Sequence, residues 1–187
     1  MVLRSGGLAI ERQKGRSDMS QDILRKVRVS GGYLRFSAAH FITYSGKCER
    51  LHGHNYGVSV EAEGTLTDDK LVLDFTVLKR LTREICRSLN HRFLLPLSNP
   101  HIDCTSSPVE WEVRFGDKRY IFPREDVVEL PIDNSTAERI AEHICNQLLE
   151  ALTPYNIANL YTLTVGVEEA PTQTAFYRRV LREDLQF

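Results

Sequence analysis

The sequence CERLHGHNY, residues 48–56, contains two histidines, His52 and His54, that are separated by a single glycine. In a β-strand, side chains two residues apart project from the same face, so both imidazoles can point at one spot. Gly53 leaves room between them, and a borderline cation such as Zn²⁺ suits imidazole ligands. The stretch therefore predicts a strand that carries two metal ligands.

A third candidate ligand is His40, which ends the motif FSAAH at residues 36–40. Three histidines without a fourth protein ligand are typical of an open, catalytic zinc site. Cys48, four residues before His52, adds a thiol to the same window. The spacing alone leaves open the alternative that these are ordinary surface or core histidines.

The composition is typical of one globular domain. The chain has 187 residues, of which 42% are hydrophobic and 26% charged, and its net charge is −1. This charge balance provides no basic field for nucleic acid, and no apolar run is long enough to span a membrane. The start of the chain lacks the apolar core of a secretory signal, and the four cysteines form no C-x-x-C pair. We therefore expect a cytoplasmic protein with reduced thiols and without nucleic-acid or membrane partners.

Hydrophobic periodicity predicts the order strand, strand, helix, helix, strand, strand. Gly31 and Gly32 indicate a bulge in the first strand, and Ser135 is the predicted N-cap of the second helix, with Glu138 completing a capping box. The predicted strands cover residues 27–42, 54–65, 160–168 and 175–181, and the predicted helices cover residues 76–89 and the segment after Ser135. This order fits an α+β domain in which two helices cover one face of an antiparallel sheet.

The chain divides into an N-terminal arm and a domain. Residues 1–24 are polar and basic without periodicity, so we predict a flexible N-terminal arm followed by a single domain over 25–187. Residues 109–122 alternate around Gly116 and Asp117, which predicts a β-hairpin. Trp111 in this hairpin either packs it onto the domain or contacts a ligand or another subunit.

Five motifs in order, FSAAH, CERLHGHNY, LNHRF, NSTAE and VGVEE, resemble the successive motifs of the 6-pyruvoyl-tetrahydropterin synthase and 6-carboxy-tetrahydropterin synthase family. The three residues between Cys48 and His52 make the chain more similar to the 6-carboxy-tetrahydropterin branch, which feeds 7-deazaguanine and queuosine synthesis. The resemblance covers residues 28–95 and 130–185 and leaves an insertion over 96–133.

The resemblance implies the tunnelling fold, in which a four-stranded antiparallel sheet with two helices on one face oligomerises into a barrel. It also implies a homo-oligomer, hexameric or otherwise trimer-based, with active sites between subunits. The open edges of such a sheet are consistent with pairing between copies of the chain.

The implied activity is that of a lyase acting on a small pterin. Such an enzyme converts 7,8-dihydroneopterin triphosphate to 6-carboxy-5,6,7,8-tetrahydropterin in a zinc-dependent reaction that releases triphosphate and acetaldehyde. The alternatives are a 6-pyruvoyl-tetrahydropterin synthase, which eliminates triphosphate, and a relative that binds a pterin or purine without converting it. The sequence has no Gly-rich phosphate loop, so it does not assign the residues that bind triphosphate.

The resemblance also assigns roles to individual residues. A cation beside the thiol would lower the pKa of Cys48 towards neutrality, where a thiolate can act as a base. A carboxylate at Glu169 would accept two hydrogen bonds from the pterin ring. The implied set comprises the metal ligands His40, His52 and His54, the catalytic residues Cys48 and His91, and the substrate-binding residues Glu169 and Thr136.

The chain departs from the family pattern at two of these motifs. Asn90 stands where the family usually has an aspartate before the histidine, and Ala170 stands where it often has threonine. An asparagine can orient an imidazole N–H but cannot stabilise an imidazolium by charge, so it would weaken His91 as a cation. These departures, with the insertion, are the reason for keeping the non-catalytic alternative.

Overall fold

A computed structural model describes residues 23–182, so residues 1–22, which are most of the predicted arm, lie outside the described residues. The chain forms eleven strands and two α-helices within this range, with a short 3-10 turn at Arg124–Asp126. The strands are β1 (Arg25–His40), β2 (Thr43–Tyr44), β3 (Lys47–Cys48), β4 (His52–Gly64), β5 (Arg92–Pro96), β6 (Asp103–Ser106), β7 (Glu110–Phe115), β8 (Lys118–Pro123), β9 (Val127–Leu130), β10 (Leu160–Ala170) and β11 (Gln173–Val180), and the helices are α1 (Phe75–Leu89) and α2 (Ala137–Leu152).

The main sheet contains the four predicted strands and two more. Its order is β11-β10-β4-β1-β5-β9, and the first four strands of this order, β11, β10, β4 and β1, are antiparallel to one another. The prediction of a four-stranded, purely antiparallel sheet is therefore wrong, because β5 and β9 extend it in parallel with β1. The added strand β5 holds Phe93, Leu94 and Leu95, all buried, and a continuous apolar run of this kind is typical of parallel strands.

Both helices pack on one face of the main sheet, as predicted. Alternate residues of β4, namely Tyr56, Val58 and Val60, are buried and join one core with the apolar side chains of α1 and α2. The predicted bulge in β1 is also present, because the pairing of β1 with β4 shifts between Ser30 and Arg35. The helix-covered core thus fixes which residues of β1 and β4 face inward.

A second, smaller sheet lies within the segment predicted as an insertion. The hairpin of β7 and β8 is joined by β6 to form this three-stranded accessory sheet. Trp111 is buried there, so the structure places it in packing. The accessory sheet covers a second core, which consists of Phe41, Cys48, Phe93, Leu95, Ile102, Trp111, Val113 and Val127.

All four cysteines are free, in agreement with the expected reduced thiols. Cys86 and Cys145 are fully buried in the helix-covered core, where they pack as small apolar residues. In the range 23–182 no helix has the length and apolar character that crossing a membrane requires.

Gly64, the last residue of β4, is a sensitive point of the fold. A Cβ atom there would lie 2.3 Å from the carbonyl oxygen of Asn159, a backbone atom that cannot move aside cheaply. We expect Gly64→Ala to lower the free energy of unfolding by about 3 kcal/mol, measured by urea denaturation. Gly116→Ala is the control: it meets no atom within 4 Å, and only its positive φ of 52° should cost about 1 kcal/mol. Equal losses in the two variants would contradict the steric explanation.

Candidate metal centre and active site

The ladder between β1 and β4 brings the three predicted imidazoles together. His40 pairs directly with His52, and Ala38 pairs with His54 two residues further along the same face of β4. The ring centroids are 4.6 Å apart for His40 and His52, 4.9 Å for His52 and His54, and 5.2 Å for His40 and His54. One nitrogen from each ring lies within 4.8 Å of the others, so this histidine cluster can hold a metal ion.

Backbone carbonyls set the tautomer of two of these rings. The Nδ1 atom of His40 lies 2.8 Å from the carbonyl oxygen of Ser135, and Nδ1 of His52 lies 2.8 Å from that of Arg50. Because a carbonyl oxygen only accepts, each Nδ1 carries a proton, and in the neutral form of the ring the lone pair is then on Nε2. This is the arrangement in which an imidazole binds a metal through Nε2, with its orientation fixed by the second hydrogen bond.

The Nε2 atom of His40 is available to bind a ligand. It is buried and has no hydrogen-bond partner among residues 23–182, although buried polar atoms are nearly always satisfied. Burial lowers the pKa of His40, and the nearby His52 adds to this lowering, while the hydrogen bond to Ser135 opposes it. The ring is therefore held neutral with an open lone pair, which fits a bound metal ion.

Glu169 brings a carboxylate to the edge of the histidine cluster. Its Oε1 atom lies 3.5 Å from Nε2 of His40 and 3.6 Å from Nε2 of His54. The hydroxyl of Tyr56 donates to the same oxygen at 3.5 Å, and burial, followed by the charge of Glu169, raises the pKa of this tyrosine. Tyr56 thus stays a neutral donor that orients the carboxylate.

The neighbours Cys48 and Glu49 point in different directions. Cys48 is 9% exposed, and its side chain belongs to the second core, with Sγ 3.4 Å from the carbonyl oxygen of Glu49. Burial raises the pKa of the thiol, an effect that the Lys118 ammonium opposes, so the protein's own groups shift it against the direction expected from the sequence. The carboxylate of Glu49 faces the cluster instead, with Oε2 4.0 Å from Nε2 of His52.

His91 lies at the rim of a neighbouring cavity. Its side chain is exposed, its φ is +58°, and its backbone N–H donates to the carbonyl oxygen of Ser37 at 2.7 Å. The cavity of about 540 Å³ is lined by both His91 and His54. Asn90 accepts a hydrogen bond from the backbone N–H of Ser37 at 2.8 Å, so this side chain ties α1 to β1 and its oxygen is already engaged.

The start of α2 is arranged differently from the prediction. The N-cap is Thr136, whose hydroxyl accepts from the N–H of Arg139 at 3.4 Å. Ser135, the predicted cap, is fully buried and donates its hydroxyl to the carbonyl oxygen of Phe41 at 2.8 Å. The prediction failed because both residue types cap helices well, and the burial of Ser135 beside β1 decided between them.

The histidine cluster has neighbours that were not predicted from the sequence, among them Tyr56, Glu49 and the carbonyl of Ser135. Tyr56 belongs to the same motif as the histidines, and its position on their face of β4 was the available signal. Glu49 sits three residues before His52, a spacing that does not by itself indicate contact outside a helix. The carbonyl of Ser135 gave no signal, because its contact with His40 joins residues 95 positions apart.

Comparison with protein-family models and curated proteins gives a consistent result. Residues 33–180 match the family model described as 6-pyruvoyl tetrahydropterin synthase. A Methanocaldococcus jannaschii protein provisionally named 6-carboxy-5,6,7,8-tetrahydropterin synthase is 34% identical over 149 residues, which cover 79% of this chain and 91% of that protein. The 6-carboxy-5,6,7,8-tetrahydropterin synthase of Rickettsia conorii is 28% identical over 141 residues, 74% of this chain and 91% of that protein.

Solved structures with the same fold are named 6-pyruvoyl tetrahydropterin synthase. The 6-pyruvoyltetrahydropterin synthase of Plasmodium vivax is 33% identical with a TM-score of 0.81, covering 86% of this chain and all (100%) of that one. The Plasmodium falciparum 6-pyruvoyl tetrahydropterin synthase is 34% identical with a TM-score of 0.80, covering 84% of this chain and 99% of that one. A solved variant of the P. vivax enzyme, 32% identical with a TM-score of 0.81 over 86% of this chain and 100% of that one, is described as a catalytic residue mutant in which glutamate is replaced by alanine.

Burial of His40 predicts a pH dependence for the metal-free protein. Its pKa is below the ordinary value of 6.5, so the unfolded chain binds the proton more tightly. The stability from the neutral ring is complete above pH 6.5 and is lost as the pH falls towards the lowered pKa. We expect the melting temperature of chelator-treated protein to fall from about pH 7 to pH 5, and to fall less in His40→Gln. If the melting temperatures of the two proteins changed with pH in the same way, His40 would not be the source of the pH dependence.

Proposed function

This chain belongs to the 6-pyruvoyl tetrahydropterin synthase family, and from that premise we propose that it is a zinc-dependent 6-carboxy-5,6,7,8-tetrahydropterin synthase. Its substrate is then 7,8-dihydroneopterin triphosphate, and its other products are triphosphate and acetaldehyde. The names of the curated relatives support this reaction. The observation that carries the proposal is the convergence of three imidazoles, two of them with Nδ1 bound to a carbonyl and Nε2 free.

The histidine cluster would hold the metal through His40, His52 and His54. We assign Zn²⁺ because three imidazoles without a close-range fourth ligand suit an open zinc site. When bound, the ion supplies Lewis acidity that makes hydroxyl and adjacent C–H groups of the substrate side chain more acidic. The carbonyls of Ser135 and Arg50 keep two of the rings in the binding tautomer throughout the reaction.

Glu169 would hold the pterin ring beside the histidine cluster. A carboxylate can accept two hydrogen bonds from the 2-amino and N3–H groups of a pterin, which is stronger than pairing between neutral groups. Tyr56 donates to Oε1, and because each carboxylate oxygen has two lone pairs, both oxygens can still accept from the ring. Oε1 lies 3.5 Å from Nε2 of His40, so the carboxylate is at the edge of the histidine cluster, and a pterin bound to it would lie beside the candidate metal ligands. The Thr136 hydroxyl is engaged in capping, which leaves Thr136 a secondary candidate.

The reaction needs a base that moves protons on the substrate side chain. Cys48 is the candidate from the family resemblance, and Glu49 is the candidate that faces the cluster in this conformation. The buried thiol would need to leave the second core to reach a substrate, whereas the carboxylate is 31% exposed and already beside His52. His91, at the rim of the adjoining cavity, remains the proposed acid/base partner.

A 6-pyruvoyl-tetrahydropterin synthase is the second candidate function. Two observations favour it: the solved Plasmodium structures carry that name, and a glutamate is described as catalytic in the P. vivax enzyme. In this chain Glu49 could fill such a role, since its carboxylate lies beside a candidate metal ligand. In both reactions triphosphate leaves, but only the 6-carboxy reaction breaks a carbon–carbon bond and releases acetaldehyde.

A homo-oligomer is part of the proposal. Strand β11 is an edge of the main sheet and exposes Phe176 and Val180, while β9 is the opposite edge. Open edges with exposed apolar side chains favour pairing with another copy of the chain. A trimer-based assembly, such as a hexamer, would close the sheet edges and place sites between subunits.

The reaction itself can be tested directly. Zinc-loaded protein is incubated with 7,8-dihydroneopterin triphosphate, and the products are identified by mass spectrometry together with an assay for acetaldehyde. A 6-carboxy product with equimolar acetaldehyde is the expected result, and His52→Asn should abolish it because a metal ligand is lost. A 6-pyruvoyl product without acetaldehyde would support the second candidate. Unchanged substrate in metal-replete protein would contradict both activities.

The two candidate bases can be separated by single substitutions. We expect Glu49→Gln to lower kcat by about 100-fold or more, because a general base contributes about 10²–10⁴. Cys48→Ala is measured in parallel, and zinc content is determined in both variants to exclude loss of the metal. Retention of full turnover in either variant would remove that residue from the mechanism.

A further inference from the structure

The accessory sheet reaches the loop that carries Cys48 and Glu49. The Nζ atom of Lys118 donates to the carbonyl oxygen of Cys48 at 2.6 Å and to that of Glu49 at 3.2 Å. Lys118 is the first residue of β8 and lies opposite Phe115 where the β7–β8 hairpin turns. One ammonium group thus bridges two successive carbonyls of a segment about 70 residues earlier in the chain.

This loop has little structure of its own. It begins at Cys48, the last residue of a hairpin of two-residue strands, β2 and β3, whose turn contains Ser45 and Gly46 with positive φ. The backbone N–H of Glu49 donates to the carbonyl oxygen of Ile42 at 3.0 Å, which continues this small hairpin. The first strand of the hairpin is held at Thr43 by hydrogen bonds with Asn134 and Asn99. The bonds from Lys118 act at the end of the second strand, where the loop begins.

The loop also carries two groups of the candidate site. The Glu49 carboxylate faces His52, and the carbonyl of Arg50 accepts from Nδ1 of the same ring. A shift of this backbone would therefore move a candidate base and release a bond that fixes a metal ligand. A displacement of about 1 Å is enough to lower a reaction rate by about 100-fold.

Lys118 is itself held in place by aromatic packing. Residues 118, 120 and 122 share one face of β8, because side chains alternate along a strand. Tyr120 packs on Phe41 with ring centroids 5.4 Å apart, and Phe122 stacks on Phe93 at 4.3 Å. Lys118 is on the face of β8 that packs on the second core, and this packing places its ammonium group at the loop. Phe122 also lines the cavity shared by His91 and His54, so the accessory sheet forms part of the site's wall.

We propose that Lys118 is a positioning residue of the candidate active site, which fixes the Cys48–Glu49 backbone so that the Glu49 side chain faces the histidine cluster. The inference rests on the proposed function for its catalytic consequence, but not for the contact itself. It gives the accessory sheet a role in the reaction beyond covering a second core.

The experiment compares Lys118→Met, Lys118→Arg and Arg119→Met in the zinc-loaded, full-length protein. Methionine keeps an apolar stem but removes both hydrogen bonds, and arginine keeps a positive donor. Arg119 is the matched control, since it is the next residue, points to the other face of β8 and pairs with Glu112. Steady-state kinetics with 7,8-dihydroneopterin triphosphate are combined with hydrogen exchange of the peptide that contains residues 48–51.

In Lys118→Met we expect kcat to fall by about 10- to 100-fold with KM changed less than about twofold, because Glu169 still holds the ring. Hydrogen exchange in residues 48–51 should accelerate about tenfold, the melting temperature should change little, and zinc content should be unchanged. Lys118→Arg should recover part of kcat, and Arg119→Met should match the wild type.

Each result has a defined meaning. Unchanged exchange in Lys118→Met overturns the inference whatever the enzyme does, because the loop would then be held by other contacts. Accelerated exchange with an unchanged kcat would show that Lys118 fixes the loop but overturn the claim that this matters for catalysis. If the wild-type protein itself shows no turnover, the proposed function has failed, and accelerated exchange would still establish that Lys118 fixes the loop.

Discussion

The register between β1 and β4, which sets His40 opposite His52, is the constraint on which the rest of the structure depends. Because strand side chains alternate, a slip of one residue would turn the facing histidines of one strand away from those of the other. Apolar packing holds the register: Phe36 stacks on Tyr56 at 4.7 Å, and the inward residues of both strands lie under the helices. The burial of these apolar side chains therefore determines where the imidazoles meet.

Polar contacts then connect the end of β1 to the start of α2. Ser135 uses its carbonyl for His40 and its hydroxyl for the carbonyl of Phe41, so one buried residue links the metal ligand and the following backbone. Both bonds are buried, where an unpaired polar group would cost about 1–3 kcal/mol. The free Nε2 of His40 is one of two buried side-chain polar atoms without a hydrogen-bond partner among residues 23–182, the other being Nε1 of Trp111 in the second core. Of these two, only the His40 atom lies beside other candidate metal ligands, which supports a ligand there.

The two cores have different relations to the site. The helix-covered core positions the strands that carry the histidines, and the second core positions the loop that carries Cys48 and Glu49. Cys48 lies in the second core, which explains why burial raises the pKa of its thiol. Glu49, the next residue, turns its carboxylate outward to His52. Adjacent residues can therefore differ sharply in their access to a substrate, because one faces packed side chains and the other faces the cluster.

Much of the fold followed from local periodicity, since alternation in β4 and the apolar stripes of the helices depend on neighbours in sequence. Strands β5 and β9 were missed, because a short apolar run such as Phe93–Leu95 has no period that separates a buried strand from other buried segments. By itself the sequence determined the residue types of a three-histidine site and the α+β order of its elements. The tertiary structure alone decided the tautomers of His40 and His52, the burial of Cys48, the exposure of Glu49 and the contact of Lys118 with their loop. These depend on where distant backbone atoms lie, and distances of that kind are set by packing between elements and leave no pattern in the local sequence.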